Sequence, residues 1–167
     1  MLPSLFLVLL FLLSAIVAWL VYRRRKTRFV VDFARLLESP RSADGLGDWI
    51  ANRSAVTGEF RGRKVAIVLQ DGNEEEPSTL IIAMATHAAP KMDTYDFAGY
   101  KGDRDGEVAA FALEVKHGLR LRHVEGWLKA SHDSFPSSFN LSKWQSVLEA
   151  IDTLCGSVER RGLLPPS

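Results

Sequence analysis

A chain of 167 residues, 47% hydrophobic and with 21 basic against 20 acidic residues, has room for one domain with a real core once an anchor is set aside, and too little for two comfortable ones. Its single thiol, Cys155, excludes a disulfide framework within the chain and gives no sign of an oxidising compartment. Five basic residues fall between Arg23 and Arg28, which leaves 16 basic against 20 acidic elsewhere, a net of −4; a domain of that sign without a basic stripe is a poor partner for nucleic acid, whose binding rests on neutralised phosphates.

The chain opens with an apolar run, Leu5 to Tyr22, broken only by Ser14. Eighteen residues at the helical rise cover about 27 Å, close to the ~30 Å hydrocarbon layer of a bilayer, so residues 1–28 are expected to be a transmembrane anchor with a basic collar. Arg23, Arg24, Arg25, Lys26 and Arg28 follow the run and no basic side chain precedes it, which by the positive-inside rule puts the N-terminus outside and the long C-terminal part in the cytoplasm. The same five side chains are the expected contacts to an anionic membrane surface. A cleaved secretory signal fits less well, because its charges should precede a shorter apolar stretch. Ser14 and Ala18 form a small-xxx-small pair that would let two anchors approach as a homodimer.

Residues 29–54 read as a helical connector. Val30, Phe33 and Leu37 share one helical side, Ser39-Pro40 stops the helix, Pro40 to Gly47 is a loop, and one more turn is expected around Trp49 and Ile50. The cytoplasmic domain proper is then 55–162, with a loose tail at 163–167. Its expected class is α+β: a mainly antiparallel sheet of about five strands packed against a C-terminal amphipathic helix.

In that domain Val56, Gly58 and Phe60 alternate with polar positions, and Val65, Ile67 and Leu69 do so after Arg61-Gly62. A two-residue turn there pairs Phe60 with Arg63, Gly58 with Val65 and Glu59 with Lys64. Thr79 to Ala85 is apolar on both faces, as in a central strand covered on two sides. A second hairpin is expected from Phe111, Leu113 and Val115 to Leu119 and Leu121, with Gly118 left-handed at the end of a three-residue connection and Glu114 opposite Arg120. Leu141, Trp144, Val147, Leu148, Ile151, Leu154, Cys155 and Val158 recur at helical spacing after an Asn140 or Ser142 cap. Cys155 falls on that stripe and reads as a small buried hydrophobe.

Catalytic and metal motifs fail on spacing. Gly58 to Lys64 has three residues between its glycines where a phosphate-binding loop needs four. Setting Gly106 at the sixth position of a calcium loop puts Lys101 first and Ala112 twelfth, where carboxylates belong. His87, His117, His123 and His132 lack zinc spacing and cysteine partners, so no metal or cofactor is expected. The working surface is expected between residues 87 and 106, where Tyr95, Phe97 and Tyr100 lie beside Asp93, Asp96, Asp103 and Asp105; long loops are usually functional or disordered, and aromatics favour contact surfaces. The competing assignment seats the aromatics on the sheet and leaves the aspartates to cap turns. The sequence therefore points to a non-enzymatic interaction module on the lipid bilayer, binding a membrane or cytoplasmic protein or a ligand. The alternative is a membrane-tethered hydrolase or metal-dependent enzyme using Asp93, Asp96, Asp103, Asp105 and Glu107.

Overall fold

The computed structural model describes residues 2–42, 53–70, 72, 78–87, 94–98, 100–134 and 139–161. Helix α1, Leu2–Ala34, runs for 33 residues, about 50 Å at the helical rise, and is long and apolar enough to cross a membrane. From Phe6 to Tyr22 its large apolar side chains are exposed all round. The same helix then continues into the domain, where Phe29, Val30 and Phe33 are buried. It ends by tightening: the amides of Arg35, Leu36 and Leu37 each bond the carbonyl three residues back. Ser39, before Pro40, then takes φ 49°.

Glu38–Ser42, inside the stretch read as connector and loop, is strand β1. It lies at the edge of the sheet, where a proline such as Pro40 is tolerated, and its pairing with β2 slips between Glu38 and Arg41. The turn expected around Trp49 and Ile50 lies outside the described residues. Strands β2 (Arg53–Phe60) and β3 (Arg63–Gln70) form the expected hairpin in the expected register, with Phe60 opposite Arg63, Gly58 opposite Val65 and Glu59 opposite Lys64. Arg61 at φ 51° and Gly62 at φ 78° supply the two positive values of a type I′ turn. Gly58 is glycine for a second reason, since a Cβ there would come within 2.9 Å of the Glu38 carbonyl and of Leu37 Cβ.

Strand β4, Thr79–Ala85, is central, between β3 and β7. The strand order is β1-β2-β3-β4-β7-β6-β5, antiparallel throughout: six strands of five residues or more and a three-residue β5, Thr94–Asp96, somewhat more than the five expected. The fold is α+β.

The second hairpin differs from expectation. Arg104–Phe111 is helix α2, extended by a π-helical turn over Ala112–Lys116, so Phe111, Leu113 and Val115 are not a strand and Glu114 does not face Arg120. Helical spacing of Gly106, Ala109, Ala110 and Leu113, all buried, overrides the two-residue alternation. Gly118 is left-handed as expected, at φ 66°, but it stops a helix: its amide bonds Glu114 O, and that of Leu119 bonds Leu113 O. The real hairpin joins β6, Arg120–Val124, to β7, Trp127–His132, through a second positive-φ pair, Glu125 at 49° and Gly126 at 81°.

Helix α3, Leu141–Arg161, starts where expected: Asn140 Oδ1 accepts the Lys143 amide at 3.1 Å. Trp144, Val147, Leu148, Ile151, Leu154, Cys155 and Val158 are buried, whereas Leu141 is exposed. The stripe meets the face of the sheet that carries Val56, Val65, Ile67, Leu80, Ile82, Leu121 and Leu128, and Phe29, Val30 and Phe33 complete the same cluster. Strand β4 is therefore covered by helices on one side among the described residues. On its other side Ile81 and Ala83 are shielded in part by flanking strands, opposite Val68, Ala66, Ser131 and Lys129.

An ion-pair clamp ties the first hairpin to α3. Arg63, mostly buried, donates through Nε to Asp152 at 2.8 Å and through Nη2 to Glu159 at 2.8 Å. Glu159 also accepts the His87 amide at 2.8 Å, and the Arg63 contact in particular lowers its pKa from the usual carboxylate value.

Candidate functional site

Within the segment 87–106, Asp93 lies outside the described residues and Tyr95 is described only by its backbone, which pairs with His123. Phe97 is wholly buried and Tyr100 nearly so, their rings 5.1 Å apart. The Tyr100 hydroxyl sits 3.1 Å from Ser157 Oγ on α3, and burial raises its pKa. Asp96 is exposed and accepts the Ala98 amide at 3.0 Å. Asp103 is the N-cap of α2: Oδ1 accepts the Gly106 amide at 2.9 Å, and Oδ2 accepts Arg160 Nε at 2.9 Å and Nη2 at 2.6 Å. The Ser157 hydroxyl first, then the Gly106 amide and Arg160, hold the Asp103 carboxyl down at about 2. Asp105 and Glu107 are exposed on the first turn of α2.

Among the described residues, part of this set is brought together at one place. Tyr100, Asp103, Ser157 and Arg160 join the start of α2 to the end of α3, and Gly106 permits the approach, since a Cβ there would fall 2.1 Å from Ser157 Oγ. Such an arrangement holds two helices together. Glu114, on the π-helical turn, has a raised pKa, mainly from burial and secondarily from the nearby Asp96.

The histidines serve separate elements. His123 is buried; its Nε2 lies 2.9 Å from Thr86 Oγ1, whose hydroxyl donates to Gly126 O, and burial lowers its pKa. His132 Nδ1 bonds Ser134. Among the described residues no three metal-ligating side chains converge. Cys155 is buried, and burial pushes its thiol up to about 12, as suits a core residue.

At the collar, Arg23, Arg24, Arg25 and Arg28 are exposed, whereas Lys26 is 6% exposed. Lys26 lies one helical turn before Phe29 and Val30 and so shares their buried side. The Arg23 guanidinium stacks 5.6 Å above the Trp19 ring, an aromatic and a cation together at the end of the apolar run, as at a membrane–water boundary.

Two features of the domain surface were not apparent from the sequence. Val108, Phe111 and Val115, at helical spacing on α2 and its π-helical turn, are 61–66% exposed. Next to Val115, an open recess of about 470 Å³ is lined by Lys116, His117, Ser142, Lys143 and Ser146, and the exposed Leu141 adjoins Ser142 in the chain. His117 there has a lowered pKa, from burial and then from the charges of Lys143 and Lys116. The Asp103 cap and the spacing of Gly106, Ala109, Ala110 and Leu113 are the signals that would have revealed α2 and its outward stripe. No protein-family model, curated protein or solved structure matches this chain.

Proposed function

We propose that this is a single-pass membrane protein whose cytoplasmic domain is a non-enzymatic binding module held rigidly at the membrane surface. The observation that carries the reading is the continuity of α1, which passes from the apolar segment into the core without a linker, so that Phe29, Val30 and Phe33 are core residues. A flexible tether lets a domain sample many heights and orientations; a helix locked into the core allows few. Orientation is inferred from Arg23, Arg24, Arg25 and Arg28 under the positive-inside rule, and the permanent anchor from charges that follow the apolar run.

The binding reading is supported by how the acidic side chains are used. An enzyme built on the carboxylates of 93–107 needs them convergent, whereas Asp103 is committed to Gly106 and Arg160, Asp96 accepts a turn amide, and Asp105 and Glu107 are exposed on the first turn of α2.

Topology reporters fused to the C-terminus of the full chain test the reading. A reporter that works only in the cytoplasm should be active and one that works only after export silent, with the protein in the membrane fraction at its full mass. Activity of the exported reporter, or loss of the first residues from the mature protein, would overturn it.

A further inference from the structure

We propose that the domain docks onto an anionic lipid leaflet through a second contact, separate from the anchor: the corner formed by Val115 and Lys116 at the end of the π-helical turn and by Leu141 and Lys143 at the start of α3. The inference rests on the anchored reading above. Trp144 packs on Phe29 and Phe33, with ring centroids 5.6 Å and 5.4 Å apart. Those residues lie seven and eleven positions past Tyr22, about 10 and 16 Å further along the helix. The polar layer of one leaflet is about 5–7 Å thick, and charge is felt over roughly another 8–10 Å of saline. The first turn of α3 is thus held just outside the polar layer, within the range over which the charge of the leaflet acts.

Outside the collar the chain is acidic, yet Lys116 and Lys143 line this recess together with His117, Ser142 and Ser146. Beside them Val115 and Leu141 are 66% and 51% exposed, large apolar side chains kept in water on a domain with a sizeable core. Cations beside exposed apolar side chains are the pattern of a surface that rests in the headgroup boundary, where the apolar groups enter and the ammonium groups meet phosphate and carboxylate. Lys143 is already poised at this edge, its ammonium 5.3 Å above the Trp144 ring. Antiparallel packing of α2 on α3, with Asp103 at Arg160 and Lys116 beside Ser146, brings both halves of the corner to the same end.

The test uses the full chain in nanodiscs of phosphatidylcholine, with or without phosphatidylserine, and lipids carrying a quencher. Val115→Cys bears an environment-sensitive fluorophore, Cys155 being buried, and a second variant labelled at Val17→Cys reports on the span. Val115 should be quenched in the discs containing phosphatidylserine and much less in those without. Each basic residue near such a surface is worth about 1 kcal/mol, so Lys116→Gln with Lys143→Gln should lower the docked-to-undocked ratio about 30-fold with an unchanged melting temperature. Quenching at Val17 with none at Val115, or no effect of the two lysines, overturns the docking and leaves the anchor standing. Shielding of Val115 that depends on protein concentration rather than on lipid assigns the corner to a protein contact and also overturns it. No quenching at Val17 overturns the anchored reading and the docking with it.

Discussion

Phe29 and Trp144 meet edge to face, with ring centroids 5.6 Å apart and planes at 84°. One ring belongs to the helix that begins in the apolar segment and the other to the C-terminal helix, 115 positions later in the chain. Phe33 and Phe139 close the cluster at 5.4–5.8 Å. Four aromatic rings therefore fix the direction in which the domain leaves α1.

Phe29→Ala should destabilise the domain by about 3–5 kcal/mol, the usual cost of deleting a buried aromatic. In a double-mutant cycle with Trp144→Ala the pair should show a coupling of about 0.5–1.5 kcal/mol. Trp19→Ala, in the exposed part of α1, should change domain stability by no more than about 0.5 kcal/mol. Denaturant unfolding of the detergent-solubilised chain measures all three.

Gly106→Ala places a methyl group where Ser157 Oγ and Cβ already are, 2.1 and 2.4 Å away. Overpacking of this kind costs about 1–3 kcal/mol, against which alanine's better helix propensity, about 1 kcal/mol, is a partial offset. Adding Ser157→Gly makes room while removing the hydroxyl that meets Tyr100. The double variant should be more stable than the sum of the two single effects, and simple additivity in thermal melts would show that α2 and α3 do not touch there.

The Asp103 carboxyl is held at about 2 by Ser157, Gly106 and Arg160, below its ordinary 3.8. A carboxyl depressed on folding adds stability above its unfolded value, and that contribution disappears as pH falls through the folded value. Asp103→Asn should accordingly lower the melting temperature at neutral pH, and the difference from the native chain should close between about pH 4 and pH 2. A difference that stays constant down to about pH 2 would assign Asp103 no special bonding in the folded state.

The first hairpin was legible because its two signals agree: alternation on both sides of Arg61-Gly62 and a turn glycine between them. Helix α3 was legible for a similar reason, long periodicity behind a capping asparagine. Helix α2 misleads because its large apolar residues are the wrong guide. Phe111 and Val115 point outward, and the buried side is made of Gly106, Ala109, Ala110 and Leu113, three of them too small to register as hydrophobic periodicity. Strand β1 is hidden by Ser39 and Pro40, which only an edge tolerates. In the 87–106 segment the residue types were visible but not their direction: Phe97 and Tyr100 turn into the core, and Asp103 turns to Arg160. The corner at Lys116 and Lys143 joins residues 27 positions apart, a proximity created by the packing of α2 on α3.

Cys155 offers a probe of opening. With its thiol buried and pushed up to about 12, a thiol-specific reagent should modify it only through unfolding. Its labelling rate should rise in step with the destabilisation of Phe29→Ala. Fast labelling of the native chain at neutral pH would place the thiol at the surface.

A rigid α1 that joins the apolar segment to the domain fixes the distance between them. Spin labels at Val17→Cys in the apolar segment and Gln145→Cys on the exposed side of α3 would give, by pulsed electron resonance of the full chain in nanodiscs, the distribution of distances between them. A single narrow distribution is expected, and Thr27→Pro, which interrupts the helix between the span and Phe29, should broaden it. A broad distribution in the native chain, unchanged by that substitution, would show that α1 does not join the two rigidly.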